Sequence, residues 1–204
     1  MSGSVAIIDY GLGNLKSVAA AFSYVGATVT VTADLDRLRA ADRLVLPGVG
    51  AFGDGMNNLR QRNFIEPLDE LVRGGKPILG ICLGAQLLCT SSEEFGYHEG
   101  LGWIDGQVRK IKGSDGLRVP HVGWNEIEIV ASSPLFEAVP DRALFYYCHS
   151  YAIHMEGNMG SIAICNYGQT FVAAFQRGNV FGVQPHPEKS QRAGLNLLEG
   201  FLAA

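Results

Sequence analysis

The stretch that most constrains this chain is Pro77-Ile78-Leu79-Gly80-Ile81-Cys82-Leu83-Gly84-Ala85-Gln86. Its opening apolar run has the pattern of a strand buried on both faces, which requires a sheet covered on each side. The Gly80-x-Cys82-x-Gly84 segment then leads into Ala85-Gln86-Leu87-Leu88, good helix-forming sequence. A strand, a sharp turn and a helix in that order would place Cys82 on a strained elbow, with small neighbours that let the backbone pass close by. A sulfur at a helix N-terminus meets unpaired N–H groups that favour the thiolate. The N–H of Leu83, one residue on, would point to where an oxyanion forms.

The chain before this stretch repeats the same alternation. Residues 4–9 form an apolar run ending in a carboxylate, followed by the Gly-rich turn Tyr10-Gly11-Leu12-Gly13-Asn14. Leu15, Val18, Ala19, Phe22 and Val25 then fall on one helical face, and Gly26 stands where a helix would stop. Gly11-x-Gly13 does not extend to a dinucleotide fingerprint, because Lys16 occupies the third glycine position. Residues 27–32 and 43–47 are the next strands, the latter running into Gly48-Val49-Gly50-Ala51-Phe52-Gly53. Helical patterns follow around Met56 and Leu59, then Ile65, Leu68, Leu71 and Val72, and Gly74-Gly75 breaks the chain before the Cys82 strand. This β–α order predicts a mostly parallel sheet flanked by helices, with ligands bound at the carboxyl ends of the strands. The turns at Tyr10, Gly48 and Cys82 all lie at such ends.

The second half changes style. Strand-like runs at 107–111, 124–130, 143–148, 161–166, 171–176 and 180–184 follow one another with few helices between. They read as antiparallel additions and the last strands of the sheet. A closing helix carries Leu195, Leu198, Phe201 and Leu202 on one face. With 204 residues and no composition shift, the expectation is one domain spanning 1–204.

Bulk properties exclude several function classes. A net charge of −4 without a long basic run argues against nucleic acid as the main ligand. No stretch is long and apolar enough to span a membrane, and the start has no signal-peptide layout. Cys82, Cys89, Cys148 and Cys165 show no CxxC spacing, which suits a reducing, cytoplasmic setting. Five scattered histidines without HExxH give no metal site, and nothing calls for a cofactor.

A cysteine nucleophile needs a base and a group that orients the base. Gln184-Pro185-His186-Pro187-Glu188-Lys189 offers both at the end of a core strand. In an extended segment, residues two apart share a face, so His186 could take the Cys82 proton while Glu188 holds its other ring nitrogen. Flanking prolines stiffen that presentation. Gly48-Val49-Gly50 is a natural second wall for an oxyanion, with the Val49 N–H as donor.

Gly80-Ile81-Cys82-Leu83-Gly84-x-Gln86, His186-Pro187-Glu188 and Pro47-Gly48-x-Gly50 together resemble the triad-type (class I) glutamine amidotransferases over essentially the whole chain. The resemblance implies a flavodoxin-like α/β fold. It also implies attack of Cys82 on the side-chain amide of glutamine, a glutamyl thioester, release of ammonia and hydrolysis to glutamate. Gln86, Glu94 and the Ser150-Tyr151 backbone would hold the substrate, beside Gly48 and Gly50.

Within that family, Asp9-Tyr10-Gly11-x-Gly13-Asn14-Leu15, Pro120-His121-Val122-Gly123-Trp124-Asn125 and Tyr147-x-His149-Ser150-Tyr151 are similar to the glutaminase subunits of imidazole glycerol phosphate synthases. Pro185 and Val122 depart from that pattern, which has an aromatic residue and Met there. This resemblance implies a (β/α)8 barrel cyclase partner in a heterodimer. Ammonia would pass to it for the synthesis of imidazole glycerol phosphate and aminoimidazole carboxamide ribotide, a step of histidine biosynthesis. Tyr10, Asn14, Trp124, Tyr146 and Lys189 map to the partner interface. The alternatives are a glutaminase subunit of another synthase, a Cys-dependent α/β hydrolase or isomerase, and a non-catalytic subunit that keeps the fold.

Overall fold

The computed structural model describes residues 3–113, 116–156 and 160–204. The elements in order are β1 (Ser4–Ile8), α1 (Leu15–Tyr24), β2 (Thr28–Thr32), α2 (Leu35–Ala40), β3 (Arg43–Gly48), α3 (Phe52–Gln61), α4 (Ile65–Arg73), β4 (Ile78–Cys82), α5 (Leu83–Leu87), β5 (Cys89–Ser92), β6 (His98–Glu99) and β7 (Ile104–Lys110). They continue as β8 (His121–Glu126), β9 (Glu128–Ile129), β10 (Leu144–His149), β11 (Tyr151–His154), β12 (Ser161–Asn166), β13 (Thr170–Arg177), β14 (Val180–Val183) and α6 (Gln191–Ala203).

The main sheet runs β2-β1-β3-β4-β14-β13-β11-β7-β5-β6. Its first five strands are parallel. From β14 onward the pairings are antiparallel apart from β5 with β7, so the sheet is mixed, with the antiparallel part in the second half as the sequence predicts. A separate antiparallel pair, β8 with β10, lies off the sheet.

The parallel strands divide the core by simple alternation. Val5 and Ile7 of β1, Val45 of β3, Leu79 and Ile81 of β4 and Phe181 and Val183 of β14 pack on the face that carries α1 and α6. Ala6, Ile8, Leu44, Leu46, Ile78 and Val180 pack on the other face, against α2, α3, α4 and α5. Both sets are almost fully buried, so these strands read as continuous apolar runs. Among the described residues, no helix is long and apolar enough to cross a membrane.

Three expectations change. The run at 124–130 is not one strand: it breaks at the buried Ile127, with β8 pairing β10 and β9 pairing β12. The helix after Cys82 spans only Leu83–Leu87, because Cys89 already enters β5. Strands β5, β6 and β11 are additional.

Candidate active site

The elbow is built by close approach. Cys82 ends β4 and precedes α5 at φ +54, a left-handed backbone that costs a non-glycine residue about 1–3 kcal/mol. The register pairs Gly48 of β3 with Cys82 of β4, so the two strand ends lie side by side. A β-carbon on Gly84 would collide with the Leu46 carbonyl oxygen, and one on Gly80 would lie 2.6 Å from the Ala85 Cα. Only hydrogens at these two positions let the first turn of α5 sit against β3 and β4.

His186 arrives from the end of β14. Its N–H donates to the Tyr146 carbonyl (2.9 Å), and the Ser190 hydroxyl donates to the His186 carbonyl (2.6 Å) while accepting from the Tyr146 N–H (3.0 Å). These bonds fix the loop against β10. The segment is not simply extended, as the spacing suggests: Pro187–Lys189 forms a single 3-10 turn. Glu188 curls back within that turn, and its Oε1 still reaches His186 Nδ1 at 2.9 Å. Both side chains are buried. Burial alone would lower the His186 pKa, but hydrogen bonds to Cys82 and Glu188 and their negative charges raise it to about 10. That direction keeps the His186 ring charged near neutral pH.

A cleft of about 190 Å³ opens at these strand ends, lined by Val49, Gly50, Cys82, Leu83, Gln86, Glu94, Cys148, His149, Ser150, Tyr151, His186 and Lys189. Most of the sequence candidates converge there. Val49 is exposed at its mouth, and Gly50 holds φ +105. Burial raises the Glu94 pKa, and Glu94 Oε2 accepts from the Phe52 N–H (2.7 Å) at the start of α3. Gln86 Nε2 donates to the Tyr151 carbonyl (2.9 Å) and to Gln184 Oε1 (3.1 Å). Gln184 is not among the sequence candidates. It is fully buried, and its Nε2 donates to Cys82 Sγ at 3.9 Å. The spacing rule used for His186 and Glu188 also covers Gln184, two residues before the histidine.

The expected interface residues separate into two groups. Trp124 and Tyr146 face each other across β8 and β10 with ring centroids 6.0 Å apart, and Lys189 Nζ lies 5.5 Å over the Tyr146 ring. Trp124 is 44% exposed, and Val122 and Leu144 beside it are exposed too, giving an apolar face next to the cleft. Asn14 is half-buried at the start of α1, and its side chain makes no capping bond. Tyr10, expected on this surface, is instead fully buried. It follows β1 into the core, and its hydroxyl lies where a Gly48 β-carbon would come within 2.7 Å. Burial and the Cys82 charge keep that phenol protonated.

The family described as glutamine amidotransferase class-I matches residues 6–204. Among the relatives of this chain are proteins named imidazole glycerol phosphate synthase subunit HisH. That of Syntrophotalea carbinolica is 47% identical over 97% of this chain and 98% of its own length. That of Geobacter sulfurreducens is 46% identical over 97% of each. Solved structures share the fold at low identity. PurLQS from Thermotoga maritima superimposes with a TM-score of 0.80 at 19% identity, covering 100% of this chain and 99% of that one. A glutamine amidotransferase from the same organism gives 0.64 at 18%, covering 98% of this chain and 82% of that one. With the match spanning nearly every residue from β1 to the end of α6, this chain belongs to the class-I glutamine amidotransferases.

Proposed function

We propose that this chain is the glutaminase subunit of an imidazole glycerol phosphate synthase, one domain over residues 1–204, acting through a Cys82–His186–Glu188 triad. The observation that carries the reading is the buried His186–Glu188 pair, its imidazole in one cleft with Cys82, on a chain 47% identical over nearly its whole length to a HisH subunit.

The Cys82 thiolate attacks the glutamine side-chain carbonyl, and the N–H groups of Leu83 and Val49 receive the oxyanion. His186, protonated in the resting pair, gives its proton to the departing nitrogen, and ammonia leaves. Acylation removes the negative charge on sulfur that helped raise the His186 pKa. The same ring then accepts a proton from water, which attacks the thioester and releases glutamate. Gln86, Glu94, Gly48, Gly50 and the Ser150-Tyr151 backbone line the place for the amino-acid end of glutamine.

The ammonia consumer is a (β/α)8 barrel cyclase docked on the Trp124–Tyr146–Lys189 face, with Asn14 at its margin. An exposed Trp124 packed on a half-buried Tyr146, with one cation beside the cleft, suits such a partner. A reducing, cytoplasmic location fits four cysteines that are all unpaired.

The test is glutamate release from glutamine by this chain alone, with the barrel cyclase, and with the cyclase plus its ribonucleotide substrate. Strong stimulation only in the last mixture, lost in Cys82→Ala, supports the proposal. Equal activity in all three points to another synthase. Turnover of simple esters without glutamine hydrolysis points to a hydrolase.

A further inference from the structure

Two buried histidines that the mechanism does not use pack here, His149 in the cleft wall and His121 against it. His121 and His149 are 2% and 6% exposed. His121 is stacked between Tyr147 (centroids 4.7 Å apart) and Tyr167 (3.9 Å), and Phe171 meets both imidazoles edge-on. His149 Nδ1 lies 2.7 Å from the Tyr151 carbonyl, His149 Nε2 lies 3.1 Å from His121 Nδ1, and His121 Nε2 lies 3.4 Å from Asn125 Nδ2.

The position of every proton in this series follows from its ends. The Tyr151 carbonyl can only accept, so His149 carries its proton on Nδ1 and accepts at Nε2. His121 must then donate from Nδ1 and accept at Nε2. The Asn125 amide is fixed in the matching sense, because its Oδ1 accepts from the Glu126 N–H (2.9 Å) and its Nδ2 donates to the Asn166 carbonyl (3.1 Å). A second proton on either ring would set two donors against each other. Both rings are accordingly held neutral, with burial lowering His149 to about 3 and His121 to about 4.

The Tyr151 carbonyl receives a second donor, Gln86 Nε2. The other hydrogen of that amide goes to Gln184 Oε1, which leaves Gln184 Nε2 to face Cys82 Sγ. The opposite orientation of Gln184 would put a carbonyl oxygen against a thiolate. We propose that Gln184 is a catalytic residue that holds the Cys82 sulfur with an amide N–H, its sense set by the Tyr151 carbonyl through Gln86, and that His149 and His121 are positioning residues that hold that carbonyl in place.

This inference rests on Cys82 being the nucleophile, so its test has one arm that needs no activity. In the uniformly 15N-labelled full chain near pH 7, long-range 1H–15N correlation reads the tautomer of each ring directly. Both His149 and His121 are expected neutral with the proton on Nδ1. A ring protonated on Nε2, or a charged ring, would overturn the arrangement whether or not the chain hydrolyses glutamine.

The second arm is kinetic, with the barrel partner present. Gln184→Glu keeps the shape but removes the N–H, and should lower kcat at least roughly 100-fold with little change in KM. His149→Leu should lower kcat roughly tenfold or more, and His149→Asn, whose amide can replace the Nδ1–H donor, should restore most of it. Gln184→Glu within threefold of the parent would overturn the role of Gln184. Equal kcat in soluble, equally stable Leu and Asn variants would overturn the role of His149. If His149→Leu does not fold, the tautomer measurement on the unaltered chain still decides. A parent chain inactive on glutamine in all mixtures would sink the glutaminase reading separately.

Discussion

Glu188 Oε1 lies 2.9 Å from His186 Nδ1, and its other oxygen, equally buried, has no hydrogen-bond partner among the described residues. The carboxylate charge is therefore held almost wholly by one imidazole. Glu188→Gln keeps the shape but presents a neutral group to Nδ1. The His186 pKa should drop, and kcat for glutamine should fall by roughly 10²–10⁴-fold with KM changed far less. Near-normal kcat in that variant would remove Glu188 from the triad.

The strain at Cys82 predicts a trade between activity and stability. Cys82→Ala and Cys82→Gly both delete the sulfur, but only glycine relaxes at φ +54. Both should be inactive, and the glycine variant should be more stable than the alanine variant by about 1–3 kcal/mol in urea unfolding. Equal stability would mean that the elbow stores no strain.

Stability should fall as pH drops below 6.5, the ordinary histidine value from which the buried His121 and His149 depart downward. His121 and His149 are depressed to about 4 and about 3, so below pH 6.5 the unfolded chain binds protons that the folded chain refuses. Stability then falls with falling pH, by up to about 1.4 kcal/mol per unit for each ring. Melting temperatures between pH 4 and 6.5 check this limb, and His121→Asn should flatten it.

Val49 sits exposed between two glycines at the cleft mouth, and its N–H is one of the two proposed oxyanion donors. Val49→Pro removes that N–H without touching the triad. Partner-stimulated glutamine hydrolysis should fall by roughly 10²–10³-fold, the usual cost of losing one such donor. Stimulation surviving in the variant would assign the second donor elsewhere.

Much of this site was legible because its elements are local. The runs ending at Gly48, Cys82 and Gln184 declare themselves as strands buried on both faces, and glycines mark where they turn. The 3-10 turn at Pro187–Lys189 still brought Glu188 to His186, since a spacing of two with prolines on both sides permits little else. What escaped was non-local. Cys89-Thr90-Ser91-Ser92 is too polar to read as a strand, and becomes one by pairing β6 and β7. Tyr10 looks like a surface aromatic in a glycine turn until Gly48 makes room for it. Gln184 was within reach of the same-face rule. The His121–His149 contact was not, because it depends on β8 pairing with β10.

The fit of Gly84 against the Leu46 carbonyl also bears on how this chain can change over generations. Alanine is the smallest replacement that any altered codon can supply, and even its single methyl has nowhere to go. In a saturation library, position 84 should return only the parent residue, whereas the exposed Val122 of β8 and Leu144 of β10 accept many. Drift in such a chain is therefore channelled. The elbow that holds the nucleophile stays fixed, and novelty accumulates on the face that chooses a companion.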